Sequence, residues 1–224
     1  MTSILPPLQH TIDSIAVPGI LVDHRLIQDG DELALLPEER AAFAGSVLKV
    51  RRASGAARIV ARTLLSRFGQ PPRAIQKSTA GMPLWPDGIV GSLAHDSEVA
   101  VAAMAAQREF ASVGVDVEPA EPVAPDLLDI VATAREREEM RDDPCHGRLL
   151  FSIKEAIYKA VYPLDRMFLD HHDVEVSLSS GAGTAVVRNG RTVSFQYCVA
   201  ARIVVLAFIP AAAKPIPPPI KASV

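Results

Sequence analysis

The hydrophobic period of the chain changes three times, and that order leaves few folds open to it. Over 36–68 the pattern is helical. Ala56, Ile59, Val60, Thr63 and Leu64 recur at helical spacing and define one buried stripe. Leu36-Pro37-Glu38-Glu39 supplies the start, with proline at the first helical position and acids in the first turn. Gly69 ahead of Pro71-Pro72 supplies the stop, and Ser54-Gly55 is a candidate break between two pieces. Short apolar runs at 89–95, 98–105 and 112–118 then read as strands. Helical spacing returns at 126–141 and 147–161. Beyond Pro163, β-type runs follow at 173–178, 185–188, 191–200 and 203–209, with Asn189-Gly190 as a hairpin turn. Helix, strands, helices, strands predicts an α+β chain of two halves, 1–112 and 113–209, joined near Ala111 to Gly114. Residues 210–224 are proline-rich and read as a tail.

At 49% hydrophobic residues the chain can bury a sizeable core. Its longest apolar run, 203–213, contains Pro210 and falls well short of the ~20 residues that a membrane-spanning helix needs. The amino end lacks a basic start and an apolar block, and Cys145 and Cys198 form no spaced pair. These features predict a cytoplasmic protein with no membrane partner. The net charge of −3 argues against a polyanion binder, but it conceals a segregation. No acid occurs between Arg40 and Pro86, where nine basic residues stand: Arg40, Lys49, Arg51, Arg52, Arg58, Arg62, Arg67, Arg73 and Lys77. Such a run is either an anion site or a solvated helix face without glutamates. Only Phe43 and Phe68 flank or fall in its helix, so the aromatic interleaving of a nucleic-acid binder is missing.

Three carboxylates carry the chemistry. Val113, Val115 and Val117 alternate with Gly114, Asp116 and Glu118, so a strand here puts Asp116 and Glu118 on one face and the valines on the other. Glu155 and Lys159 sit one turn apart on the 147–161 helix, beside the apolar stripe of Leu149, Ile153, Ala156, Ile157 and Ala160. Oxygen ligands of this kind suit a hard divalent cation, and a nearby ammonium suits a leaving phosphate. His95 ends an apolar strand and reads either as a strand-end histidine or as a ligand-binding group. His171-His172-Asp173 reads as a polar loop before a strand rather than a transition-metal site. Ser92 and Ser152 lack a nucleophile motif, and Trp85 among prolines reads as a packing residue.

Gly114-Val115-Asp116-Val117-Glu118-Pro119 resembles the Gly-Ile-Asp-x-Glu motif of 4′-phosphopantetheinyl transferases of the surfactin/enterobactin synthetase type. The run from Phe151 to Ala160 is similar to that family's Phe/Trp-Ser-x-Lys-Glu-x-x-x-Lys motif. Upstream, 81–88 and Gly91-Ser92-Leu93-Ala94-His95 resemble two further blocks, and the Arg51-Arg52 and Ala57-Arg58 helix resembles its basic block.

The resemblance implies two similar, pseudo-symmetric halves, each a small antiparallel sheet packed with helices, in a monomer with coenzyme A between them. It implies transfer of the phosphopantetheine arm of coenzyme A to a serine of an apo acyl or peptidyl carrier protein, releasing adenosine 3′,5′-bisphosphate. By position, Asp116, Glu118 and Glu155 would hold Mg²⁺, or Mn²⁺ in its place. Arg58 and His95 would contact the 3′-phosphate, with Arg51 in the same basic block and Lys77 lining the nucleotide site. The backbone N–H of Ala94 would face phosphate where many relatives place Ser or Thr. Lys159, with Lys154 nearby, would stabilise the leaving phosphate, and Glu155 would accept the serine proton. Ala80 stands where several relatives carry lysine. Together with Ala94 it motivates the alternative of a non-catalytic module that binds coenzyme A or carriers.

Overall fold

The computed structural model describes residues 6–140 and 143–212. The elements in chain order are α1 (Pro6–Ser14), β1 (Ile20–Leu26), α2 (Pro37–Arg40), α3 (Leu48–Arg67), β2 (Ile89–His95), β3 (Val99–Ala106) and β4 (Phe110–Pro119). They continue with α4 (Pro125–Val131), α5 (Ala134–Glu138), α6 (His146–Asp165), β5 (Val174–Ser179), β6 (Ala182–Val187), β7 (Thr192–Val199) and β8 (Arg202–Pro210). Two antiparallel sheets result, a three-stranded one ordered β1-β3-β2 and a five-stranded one ordered β4-β8-β7-β6-β5. The fold is α+β, with each sheet covered by one long helix.

The core explains this layering. β3 reads Val-Ala-Val-Ala-Ala-Met-Ala-Ala and is buried along its whole length. A strand with both faces covered needs no polar alternation. Ala102 and Met104 meet Val60, Ala61, Leu64 and Leu65 of α3 on one face. Val101, Ala103 and Ala105 meet Val113, Val115, Val117, Val204 and Leu206 on the other, so the two sheets pack face to face there. The opposite face of the larger sheet takes Leu149, Ile153, Ala156, Ile157 and Ala160 of α6. Helix, sheet, sheet, helix is the resulting stack.

Several local expectations change. The 36–68 helix is interrupted: α2 passes into a 3-10 turn at Ala41–Phe43, and α3 begins only at Leu48. Gly45-Ser46 lies in the gap, where glycine and serine favour turns. Ser54-Gly55 does not break α3. A Cβ on Gly55 would stand 1.9 Å from the Asp31 carbonyl oxygen, so this glycine lets the 29–35 segment lie against the helix. Ala56, Val60 and Leu64 are buried as the stripe requires, whereas Ile59 is half-buried and Thr63 exposed. The 126–141 helix divides into α4 and α5 because Thr133 caps a new start, accepting from the Glu136 N–H at 3.3 Å. Arg141 and most of the proline-rich tail lie outside the described residues. β1 had no legible period, since Asp23-His24-Arg25 interrupts its apolar residues.

Candidate active site

Gly114 sets the site. It occupies the face of β4 opposite the buried valines, and a Cβ there would stand 2.0 Å from the Ala156 carbonyl oxygen and 2.8 Å from the Ala160 nitrogen. Only glycine lets the backbone of α6 come this close to the strand. The next residue on that face, Asp116, therefore meets the helix directly. Its Oδ1 accepts from Lys159 Nζ at 2.6 Å and its Oδ2 from Ser152 Oγ at 2.9 Å. Lys159 also donates to the Val115 carbonyl at 3.2 Å. Glu118, one step further along the face, accepts from Arg148 at 3.2 Å. Glu155 flanks the cluster from α6, with its Oε1 3.6 Å from His171 Nε2.

Charge is left unbalanced on both sides of the Asp116–Lys159 pair. The carboxyl pKa of Glu118 is raised by burial and then by Asp116, against the pull of Arg148. Burial also raises Glu155, with Lys159 opposing and Asp116 adding. On the other side, Lys77 is lowered by burial and by Arg58. His95 is exposed as a residue, yet the protein around it removes enough water to lower its pKa, and Lys159 and Lys77 add to that against the pull of Asp96. One flank thus has carboxylates, and the other basic groups, whose charged forms are disfavoured chiefly by burial. That is the pattern a polyanion bound together with a metal ion would relieve.

Phe43 organises the cationic flank, and no sequence signal marked it. The Arg58 guanidinium lies 4.8 Å from its ring centroid and Lys77 Nζ 4.9 Å. Arg51 and Arg40 line a small cavity against the same ring. The basic groups run from Arg51 through Arg58 and Lys77 to His95 and Lys159.

A larger cleft of about 520 Å³ opens beside Lys159. Its walls come from the 80–87 loop, from β2, and from Tyr158, Tyr162 and Leu164 of α6. Trp85 is both packing residue and cleft wall, lying on Gly91, whose added Cβ would stand 2.8 Å from the indole. Arg166, at φ 53, reaches across to Met82 Sδ at 2.7 Å and ties the loop to the end of α6.

The N-terminal domain model of the 4′-phosphopantetheinyl transferases matches residues 38–105, and the model of the 4′-phosphopantetheinyl transferase superfamily matches 112–208. The 4′-phosphopantetheinyl transferase Npt of Nocardia iowensis is 37% identical over 177 residues, covering 78% of this chain and 80% of that one. The chain belongs to this family. PptT of Mycobacterium tuberculosis is 37% identical over 69% of this chain and 70% of that one. Svp of Streptomyces mobaraensis is 39% identical, over 69% of this chain but 65% of its own length. A solved structure, the Thermotoga maritima holo-[acyl-carrier-protein] synthase, aligns over 43% of this chain at 21% identity and a TM-score of 0.36, too low to carry an argument.

Two features of the family pattern take different places here. The basic run is not an open cradle, because acids from the preceding segment neutralise much of it. Arg52 pairs with Asp29 and Glu32, Arg58 and Arg62 with Glu39, and Arg67 with Asp23. Arg58 is buried and also donates to the carbonyls of Ile75 and Ser54, so its ring contact with Phe43 is part of a packed position. Lys154 does not reach the cleft. Its side chain is 1% exposed, and its ammonium donates to Glu136, Val131 O and His171 O in the interior of the C-terminal half. A lysine with three buried acceptors has no proton left for a phosphate.

The acidic set fits a hard cation by donor chemistry, being all oxygen and short of positive charge. Among the described residues, no three His, Cys, Asp or Glu side chains stand close enough together to grip an ion as they are. Lys159 holds the Asp116 oxygen that an ion would need, so binding requires that ammonium to turn away. Ser152 and Ser92, which lack a nucleophile motif in the sequence, have positioning contacts in the structure. Ser152 orients Asp116, and Ser92 accepts from the Val115 N–H at 3.0 Å, joining β2 to β4.

Proposed function

We propose that the protein transfers the 4′-phosphopantetheine arm of coenzyme A to a serine of an apo acyl or peptidyl carrier protein. The observation that carries this reading is the Asp116–Lys159 pair at the edge of the cleft, with partly desolvated carboxylates on one flank and partly desolvated basic groups on the other. Asp116, Glu118 and Glu155 would hold Mg²⁺, which supplies positive charge to the pyrophosphate when bound. Lys77, His95 and Arg51, with the Ala94 N–H, would receive the nucleotide phosphates, and the cleft beside Trp85 would receive the pantetheine arm. Glu155 accepts the serine proton as Oγ attacks the β-phosphorus. The bond from that phosphorus to the bridging oxygen breaks, and adenosine 3′,5′-bisphosphate leaves with Lys159 neutralising its charge.

The assay is intact-mass analysis of an apo-carrier incubated with the protein, coenzyme A and Mg²⁺. Addition of the phosphopantetheine mass is expected, and Glu155→Ala should abolish it. Occupation of both Asp116 oxygens by Ser152 and Lys159 favours one competitor, a module that binds coenzyme A without turnover. Trp85, the only tryptophan, would report that outcome: a fluorescence change on adding coenzyme A, with no modified carrier and no Mg²⁺ dependence.

A further inference from the structure

Lys154 and Glu155 are neighbours on α6 and leave the helix about 100° apart. Lys154 turns inward, and its three protons go to Glu136 Oε2 at 2.6 Å, Val131 O at 2.8 Å and His171 O at 2.9 Å. Glu136 is itself held by the N–H groups of Thr133 and Val176. This buried pair therefore pins the backbone of His171 against α6. The His171 ring stacks on Phe151, with centroids 5.6 Å apart and planes at 25°. Phe151 and Glu155 lie one helical turn apart, so a ring resting on the first is carried to the second.

His171 Nε2 is shielded from solvent, makes no hydrogen bond, and stands 3.6 Å from Glu155 Oε1. A buried donor left without an acceptor loses its solvation with nothing in return. The Glu155 side chain is about a third exposed, and closing the gap to hydrogen-bonding distance takes only a few tenths of an ångström. Both residues line the same cavity of about 230 Å³, which borders Ile130 and Phe168. We infer that His171 is a positioning residue for Glu155: its Nε2–H donates to Oε1 and fixes the carboxylate's orientation, with the Lys154–Glu136 pair holding the His171 backbone from behind. Its catalytic consequence rests on the transferase reading above; the hydrogen bond itself does not.

Two measurements test this. In ¹⁵N-labelled protein, long-range proton–nitrogen correlation should show His171 as the Nε2–H tautomer, with that proton's signal displaced in Glu155→Ala. A bare Nε2 with the proton on Nδ1 overturns the inference. In the carrier assay, His171→Phe keeps the stacked ring without the donor, and His171→Gln keeps a donor. Phe should lower kcat about tenfold or more and leave KM for coenzyme A within about twofold, and Gln should restore most of kcat. A Phe variant with unchanged kcat, or a Gln variant as slow as Phe, sinks it. A wild-type chain that shows the Nε2–H tautomer but modifies no carrier refutes the transferase reading and leaves the hydrogen bond standing.

Discussion

Gly114→Ala tests whether the site depends on the close approach of β4 and α6. The added Cβ would lie 2.0 Å from Ala156 O and 2.8 Å from Ala160 N. Both are helix backbone atoms, so no side chain can rotate away to make room. Bringing the closer contact to an ordinary 3.4 Å needs about 1.4 Å of separation, because repulsion at 2.0 Å far exceeds any dispersion gain. Overpacking of this kind costs about 1–3 kcal/mol. The same movement lengthens the Lys159–Asp116 and Ser152–Asp116 contacts, now 2.6 and 2.9 Å, beyond hydrogen-bonding reach. Misplacing reacting groups by about 1 Å costs roughly a hundredfold in rate. The expectation is a stability loss of about 2 kcal/mol by urea unfolding, with carrier modification slowed about a hundredfold under conditions where the variant is fully folded. Gly45→Ala is the control, since its Cβ would meet nothing within 4 Å. A Gly114→Ala protein within about 0.5 kcal/mol of wild type, or within threefold of its rate, would show that the close approach does not position the site.

Three further perturbations probe the interior. Lys154→Met should cost about 3–5 kcal/mol, since it strands Glu136 in a dry pocket, and a Lys154→Met/Glu136→Leu double variant should recover much of it; urea unfolding of the set reads the difference. Ser92→Ala leaves the buried Val115 N–H without its acceptor and should cost about 1–3 kcal/mol in the same assay. His24 is fully buried on β1 with neither ring nitrogen paired, and burial lowers its pKa against the pull of Asp23 and Asp13. Its folded pKa lies below its unfolded one, so its contribution is complete above about pH 6.5 and is lost as pH falls through the folded value. His24→Leu should flatten that fall in a pH series of unfolding midpoints, and an unchanged slope would refute the assignment.

What the sequence made legible followed from period and spacing. The valine alternation along 113–118 put the carboxylates on one face, and the structure places those valines between the sheets with Asp116 against α6. Ile89–His95 was bounded correctly because its apolar residues lie between turn-forming neighbours. The cation run was read correctly as a sequence and only in part as a surface, since Arg58 is buried and Arg52 and Arg62 are half-buried while Arg40, Lys49, Arg51, Arg67, Arg73 and Lys77 stay exposed. Arg52, Arg58, Arg62 and Arg67 are solvated or not according to where residues 23–39 fold, and no local pattern in the helix encodes that docking. Gly55 shows the same limit from the other side. In one dimension a glycine inside a helix is a break, and in three it is the point where Asp31 touches down. Lys154 extends the argument to chemistry. Its motif spacing is shared with Glu155 and Lys159, but a helix turns about 100° between successive residues, so adjacency to a site residue points the side chain elsewhere. The motif then marks the helix as a unit: Lys159 for the cleft, Glu155 for the rim, and Lys154 for the interior pair that fixes His171 against that rim.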